Sequence, residues 1–175
     1  TNLMVNVLET VSFLVIVAAA QTVVMVVGDF DLSVGGIAAL ATSFTAAILT
    51  TTTLAGDPQQ PGSVPLAIGI GIVVGLACGI LNGVLVSYLG VLAFIATLGM
   101  SQVYVNLARF RVDGKPVYGL VEPMFVEVAR TSTFGVSNKI WIAAMIAGAI
   151  WFLLDRTTLG RRMYAVGGNA EAARY

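Results

Sequence analysis

The chain has 175 residues, 58% of them hydrophobic and 10% charged, with a mean hydropathy of +0.93, too apolar and too poor in charge for an ordinary soluble domain. Nine basic and nine acidic residues leave a formal net charge of zero, which excludes a basic nucleic-acid surface. With no histidine and a single cysteine, Cys78, a histidine-based metal or acid/base site, an intramolecular disulfide and a multi-cysteine metal centre are excluded as well. Cys78 sits in an apolar run and reads as a small packed hydrophobe.

The composition implies an all-α, polytopic transmembrane helix bundle, with about five membrane segments read from the apolar runs. The first runs from Val11 to Val27, preceded by Asn2, Asn6 and Glu9. It lacks a basic leader, an initiating Met and a cleavage site, so it does not read as a signal peptide, and the chain is expected to begin inside a longer gene. Gln21 and Thr22 interrupt it with one polar spot, which serves either as interhelical glue or as part of a solute path.

The stretch from Gly28 to Gly36, reading Gly-Asp-Phe-Asp-Leu-Ser-Val-Gly-Gly, is a polar break between two apolar runs. An aspartate at membrane depth costs about 2.5–3.5 kcal/mol on insertion scales, so Asp29 and Asp31 require water, a partner or backbone donors. Gly28 and the Gly35-Gly36 pair allow the backbone to leave and re-enter helix, and Asp31 and Ser33 are residue types that cap a following helix. The break is therefore either a capped turn or a discontinuity lining a solute path, since irregular backbone at depth is tolerated only against protein or water.

The second segment, Val34 to Leu54, is rich in Ala, Ser and Thr and suits close helix packing. A Pro/Gly-rich turn from Ala55 to Ser63 follows, and its lack of Lys and Arg favours the external side. The third segment, Pro65 to Leu89, carries Gly71, Gly75, Gly79 and Gly83 at a spacing of four, a ladder that should receive a neighbouring helix of this chain or of a second copy. Asn82 beside it suits a structural hydrogen bond or solute contact. Val91 to Leu107 forms a fourth segment with Thr97, Ser101, Gln102 and Asn106 along it. Thr97 and Ser101 share a face, which fits a path lined by hydroxyls and amides and fits helix packing equally.

Between Arg109 and Asn138 lies the longest polar region. Gly114-Lys115-Pro116 reads as a turn and Val126 to Thr133 as a short strand or surface helix. Gly114-Lys115 lacks the flanking residues of a phosphate-cradling loop. The fifth segment, Ile140 to Leu154, has Trp141 and Trp151 near its ends, and Phe134 to Ser137 are expected to extend it. Its exit into Asp155-Arg156 and Arg161-Arg162 argues for the cytoplasmic side, and alternating crossings then place Thr1 outside. Asn169 suits a cap for a helix over Ala170 to Arg174, with Glu171 in its first turn matching the dipole.

In combination, Gln21-Thr22, Gly28 to Gly35, Leu81-Asn82-Gly83, Phe94 to Gly99, Gly114 to Val117 and Thr158 to Asn169 resemble the permease subunit of bacterial ribose/xylose-type ABC sugar importers, of the branched-chain-amino-acid/ribose permease family. The chain departs from the family pattern at Asp29, where a second Gly is usual, and at Leu92-Ala93, where a proline pair is usual. The resemblance implies about ten membrane helices in a full subunit, so that 1–175 would be a partial permease domain without the first helix and most of the second half. It further implies a non-catalytic subunit of the bacterial inner membrane that needs no cofactor. Its partners would be a cytoplasmic ABC ATPase, a periplasmic sugar-binding protein and a second permease copy. Gln21, Asp31, Ser33, Asn82, Thr97 and Gln102 become candidates for the sugar path. Gly167, Gly168, Asn169, Glu171, Ala172 and Ala173 become candidates for coupling to the ATPase, their small surface suiting a cleft on a partner. An ion-coupled carrier or channel with Asp29 and Asp31 as ion sites, a permease for another small solute, and a membrane subunit with no path are the alternatives.

Overall fold

The computed structural model describes residues 3–50, 62–115 and 123–174. Among the described residues there are seven α-helices: α1 Leu3–Val26, α2 Val34–Leu49, α3 Val64–Ser87, α4 Ala93–Arg111, α5 Pro123–Arg130, α6 Asn138–Arg156 and α7 Thr158–Gly168. A two-stranded ribbon, β1 Ser132–Thr133 and β2 Val136–Ser137, precedes α6, and a 3-10 turn over Ala172–Arg174 follows α7. α1, α3 and α6 are long and apolar enough to cross a membrane, and α2 is a shorter apolar helix. Their large side chains point outward: in α1 only Ser12 is buried, while Phe13, Leu14, Ile72, Val73 and Leu76 are exposed. That inverts the pattern of a soluble helix and leaves small and polar residues to make the interhelical contacts.

The chain divides into two compact units, residues 31–128 and residues 1–30 with 129–175. In the first, the contacts run in a regular register. Leu32 bonds Thr97, Gly36 lies against Ser101, and Phe44 lies under Arg111, so α2 and α4 are parallel. Ser33 meets Asn82, Gly71 meets Thr45, and Gly62 N–H donates to Ile48 O at 2.6 Å, so α3 runs antiparallel to α2. Leu40, Cys78, Tyr104 and Ala108 form the core of this unit, with Leu49, Val64 and Ala67 forming a second cluster. In the other unit α1 and α6 pack together and are tied near their N-terminal ends by Lys139 and Glu9, 2.7 Å apart.

Several expected boundaries change. The break spans 27–33, because Gly35 and Gly36 lie inside α2. Gly28, with φ of +96°, does need its conformational freedom. Gly36 is instead required by proximity: a Cβ there would sit 2.6 Å from the carbonyl oxygen of Ser101. The first segment begins well before Val11, at Leu3. Phe134 to Ser137 do not extend the fifth segment. Phe134 and Gly135 take positive φ values of 54° and 77° and close a hairpin, which Thr133 and the β-branched Val136 favour over helix. The helix starts only at Asn138, whose N–H bonds Thr131 O. Residues 51–61 and 116–122, which hold most of the turn expected on the external side and Pro116, lie outside the described residues.

Candidate functional site

The end of the break is held by a chain of directed hydrogen bonds. Asp31 Oδ1 accepts from the backbone N–H of Ser33 at 2.7 Å and from Ser33 Oγ at 2.6 Å. Ser33 Oγ accepts from Asn82 Nδ2 at 2.7 Å, and Asn82 Oδ1 accepts from the Tyr104 hydroxyl at 3.0 Å, which is shared with the carbonyl of Cys78. Leu32 N–H donates to Thr97 Oγ1, which itself donates to Ala93 O. Ser33, Asn82, Thr97 and Tyr104 are all buried, with Ser33 at 0% and Tyr104 at 2% exposure.

Local sequence explains the arrangement. Asp-x-Ser places a carboxylate two residues before an N–H donor, the geometry of an Asx turn. Ser33 occupies the N-cap position of α2 but makes no side-chain cap bond, contrary to the capping expectation: a cap needs the hydroxyl oxygen as acceptor on a β-region backbone, whereas Ser33 sits at φ −88°, ψ −8° and its oxygen accepts from Asn82 instead. Asn82 projects from α3 toward Ser33 while Thr97 and Tyr104 share the inner face of α4. Ser33 fixes which way the amide points: its proton goes to Asp31, so its oxygen can only accept, and the Asn82 NH₂ group must face it, leaving the carbonyl oxygen for Tyr104. The result is a polar knot in an apolar bundle, with each buried member satisfied, a condition low-dielectric surroundings impose.

Four of the six path candidates, Asp31, Ser33, Asn82 and Thr97, are brought together here. Gln102 is exposed on α4, away from the buried stripe, and Gln21 belongs to the other unit. Tyr104 is the member that sequence reading missed, although its place three residues after Ser101 on the Thr97 face could have signalled it. The contacts that join the cluster are hydrogen bonds, and among the described residues no group of three or more His, Cys, Asp or Glu converges.

The glycine ladder divides into two halves. A Cβ on Gly71 would lie 3.0 Å from Thr45 Oγ1, and one on Gly75 would lie 4.0 Å from Ile37, whereas Gly79 and Gly83 have nothing within 4 Å. In the other unit Glu9, Ser137, Ser132 and Lys139 border a cavity of about 560 Å³ between α1 and the ribbon. The Glu9–Lys139 pair spans residues 130 positions apart, a separation that no local pattern reveals.

The coupling candidates are placed differently from expectation. Gly167 and Gly168 form the last turn of α7 rather than a break ahead of a helix. Asn169 does act as a cap, its Oδ1 accepting from Glu171 N–H and Ala172 N–H at 3.0 Å each, but what it starts is a 3-10 turn that includes Ala172 and Ala173. α7 itself went unread. Thr157, whose Oγ1 accepts from Gly160 N–H at 3.1 Å, followed by Leu159, Met163 and Val166 at helical spacing, was the available signal.

Comparison with known proteins adds the following. Residues 3–175 match the family described as branched-chain amino acid transport system / permease component. The chain is similar to the D-allose transport system permease protein AlsC of Escherichia coli strain K12, 34% identical over 176 aligned positions that cover 100% of this chain and 51% of that protein. It is 32% identical to the ribose import permease protein RbsC of the same strain, covering 99% and 52%. With the L-arabinose transport system permease protein AraH, also of that strain, it shares 34% identity, covering 90% and 45%. The chain spans about half the length of these relatives. No solved structure matches it.

Proposed function

Since the chain belongs to the family of branched-chain amino acid transport system permease components, we propose that it is part of the membrane-spanning permease subunit of an ATP-driven importer for a monosaccharide. The observation that carries this reading is the likeness, along nearly the whole chain, to permeases for D-allose, ribose and L-arabinose. The subunit catalyses nothing itself. ATP hydrolysis falls to a cytoplasmic ABC ATPase, solute arrives from a periplasmic sugar-binding protein, and a second permease copy completes the path across the inner membrane.

The polar knot supports a role for the break in this machinery. Helices that slide or tilt during transport need a discontinuity whose backbone groups are satisfied in each state, and the Asp31 turn supplies a satisfied one. For Asp31, Ser33, Asn82 and Thr97 to meet sugar hydroxyls the knot has to open, since Ser33, Asn82 and Thr97 are buried and their polar atoms are bonded within it. Ala172 and Ala173, on the exposed turn after α7, form the small-residue surface offered to the ATPase.

The test is uptake of labelled ribose, allose and arabinose by cells lacking their own monosaccharide importers and supplied with the full-length subunit, its ATPase and its binding protein. ATP-dependent uptake of at least one sugar is the expected result. Uptake that follows an ion gradient without ATP would establish a carrier, and uptake of branched-chain amino acids alone would overturn the sugar assignment.

A further inference from the structure

α7 is pinned at both ends by glycine. A Cβ on Gly160 would run into the carbonyl of Leu154, in the last turn of α6, and one on Gly167 would run into the carbonyl of Val26, at the end of α1. α1 and α6 are joined near their N-terminal ends by Glu9 and Lys139 and near their C-terminal ends through α7, so they run parallel and end at about one level. A helix that touches both ends lies across them, in the plane where two membrane-length helices finish. Thr157, extended at φ −108° and ψ 159°, makes the corner that turns the chain from α6 into this plane.

We propose that α7 is an interfacial helix seated on an anionic phospholipid surface. At about 100° per residue, Gly160 and Gly167 fall on the edge held by α6 and α1. Leu159, Met163 and Val166 form a stripe about a quarter turn away, which faces sideways at the depth where the spans end. Leu159 is 49% and Val166 39% exposed, so neither is covered by this unit. Arg162 flanks the stripe, Arg161 and Ala165 lie on the far side, and both arginines are exposed. From Asp155 to Gly168 there are three arginines and one acidic residue, and Asp155 is already paired with Arg156 at 2.7 Å. The surplus positive charge beside an apolar stripe is the chemistry that anionic headgroups and the upper acyl chains accept. Trp151, with Arg156 5.6 Å from its ring, marks the same level, where tryptophan is favoured.

Nitroxide labels on the full-length subunit test this, placed by Leu159→Cys, Arg161→Cys, Ala165→Cys and Val166→Cys. Cys78 is buried and stays in place, with the unsubstituted protein as the labelling control. The subunit is reconstituted in phosphatidylcholine vesicles with and without about one quarter phosphatidylglycerol, and collision rates with oxygen and with a water-soluble nickel complex are read. Labels at 159 and 166 should favour oxygen and those at 161 and 165 nickel. The combined Arg161→Gln and Arg162→Gln change should cut the oxygen-to-nickel ratio at 159 about twofold in the anionic vesicles. Equal nickel access at all four positions would overturn the proposal, as would shielding of 159 from both reagents, which would mean that protein covers the stripe. A pattern indifferent to phosphatidylglycerol and to the arginines would overturn the anionic assignment.

Discussion

Asn82 makes two buried hydrogen bonds, and only one orientation of its amide serves both. Ser33→Ala removes the acceptor of Asn82 Nδ2 and should cost about 1–3 kcal/mol, the penalty of an unpaired buried donor. Thermal unfolding of the purified subunit in detergent measures it. Asp31→Asn keeps an Oδ1 acceptor for both Ser33 bonds, so it should unfold close to the parent, while Asp31→Ala should melt earlier and lose uptake at normal membrane levels. Equal melting of the Asn and Ala variants would show that the Asp31 acceptor does not hold the turn. Gly36 and Gly35 make a second matched pair. Gly36→Ala would set a methyl against the backbone of Ser101 and should destabilise by about 1–3 kcal/mol as α2 and α4 are forced apart. Gly35→Ala, with nothing within 4 Å, should be neutral or gain up to about 1 kcal/mol from helix propensity. Sequence alone could not rank these two glycines, because what differs between them is a helix 65 residues away in the chain.

At the scale of elements, the regular spacing of the α3 ladder conceals two environments. Gly71→Leu should lower the yield of folded subunit, since α2 already occupies that side at Thr45. Gly79→Leu and Gly83→Leu leave the fold of this unit intact and are expected to act on assembly, read by size-exclusion chromatography and cross-linking of the full-length subunit. Loss of folding for all three alike would mean that the open half is filled within the subunit. The start of α4 explains the departure at Leu92-Ala93. Leu92 has φ −55° and is exposed, and Ala93 is the first helical residue, positions whose geometry proline also satisfies. Leu92→Pro should therefore leave the melting temperature unchanged or slightly raised. A fall of several degrees would show that this N–H is needed.

For the whole molecule, alternating crossings require the directions found within each unit: α2 parallel to α4 and antiparallel to α3, and α1 parallel to α6. Single cysteines at Ser63 and Asp113 should therefore react with a membrane-impermeant maleimide from one side and a cysteine at Leu89 from the other. Labelling of all three from one side would break the alternation. The membrane class, the order of the apolar segments, the break before α2 and the family were legible in the sequence, because hydropathy, glycine punctuation and motif order are local properties that survive in one dimension. The sequence also marked Asp31, Ser33, Asn82 and Thr97 as polar residues out of place in apolar runs. That they bond through one knot closed by Tyr104, that Ser33 serves Asp31 instead of capping α2, that Glu9 pairs with Lys139 and that Gly36 and Gly160 lie against other backbone were decided only by tertiary structure. Each of these depends on the register between helices far apart in the chain, and register is set by side chains meeting in space, which periodicity along a single helix does not encode.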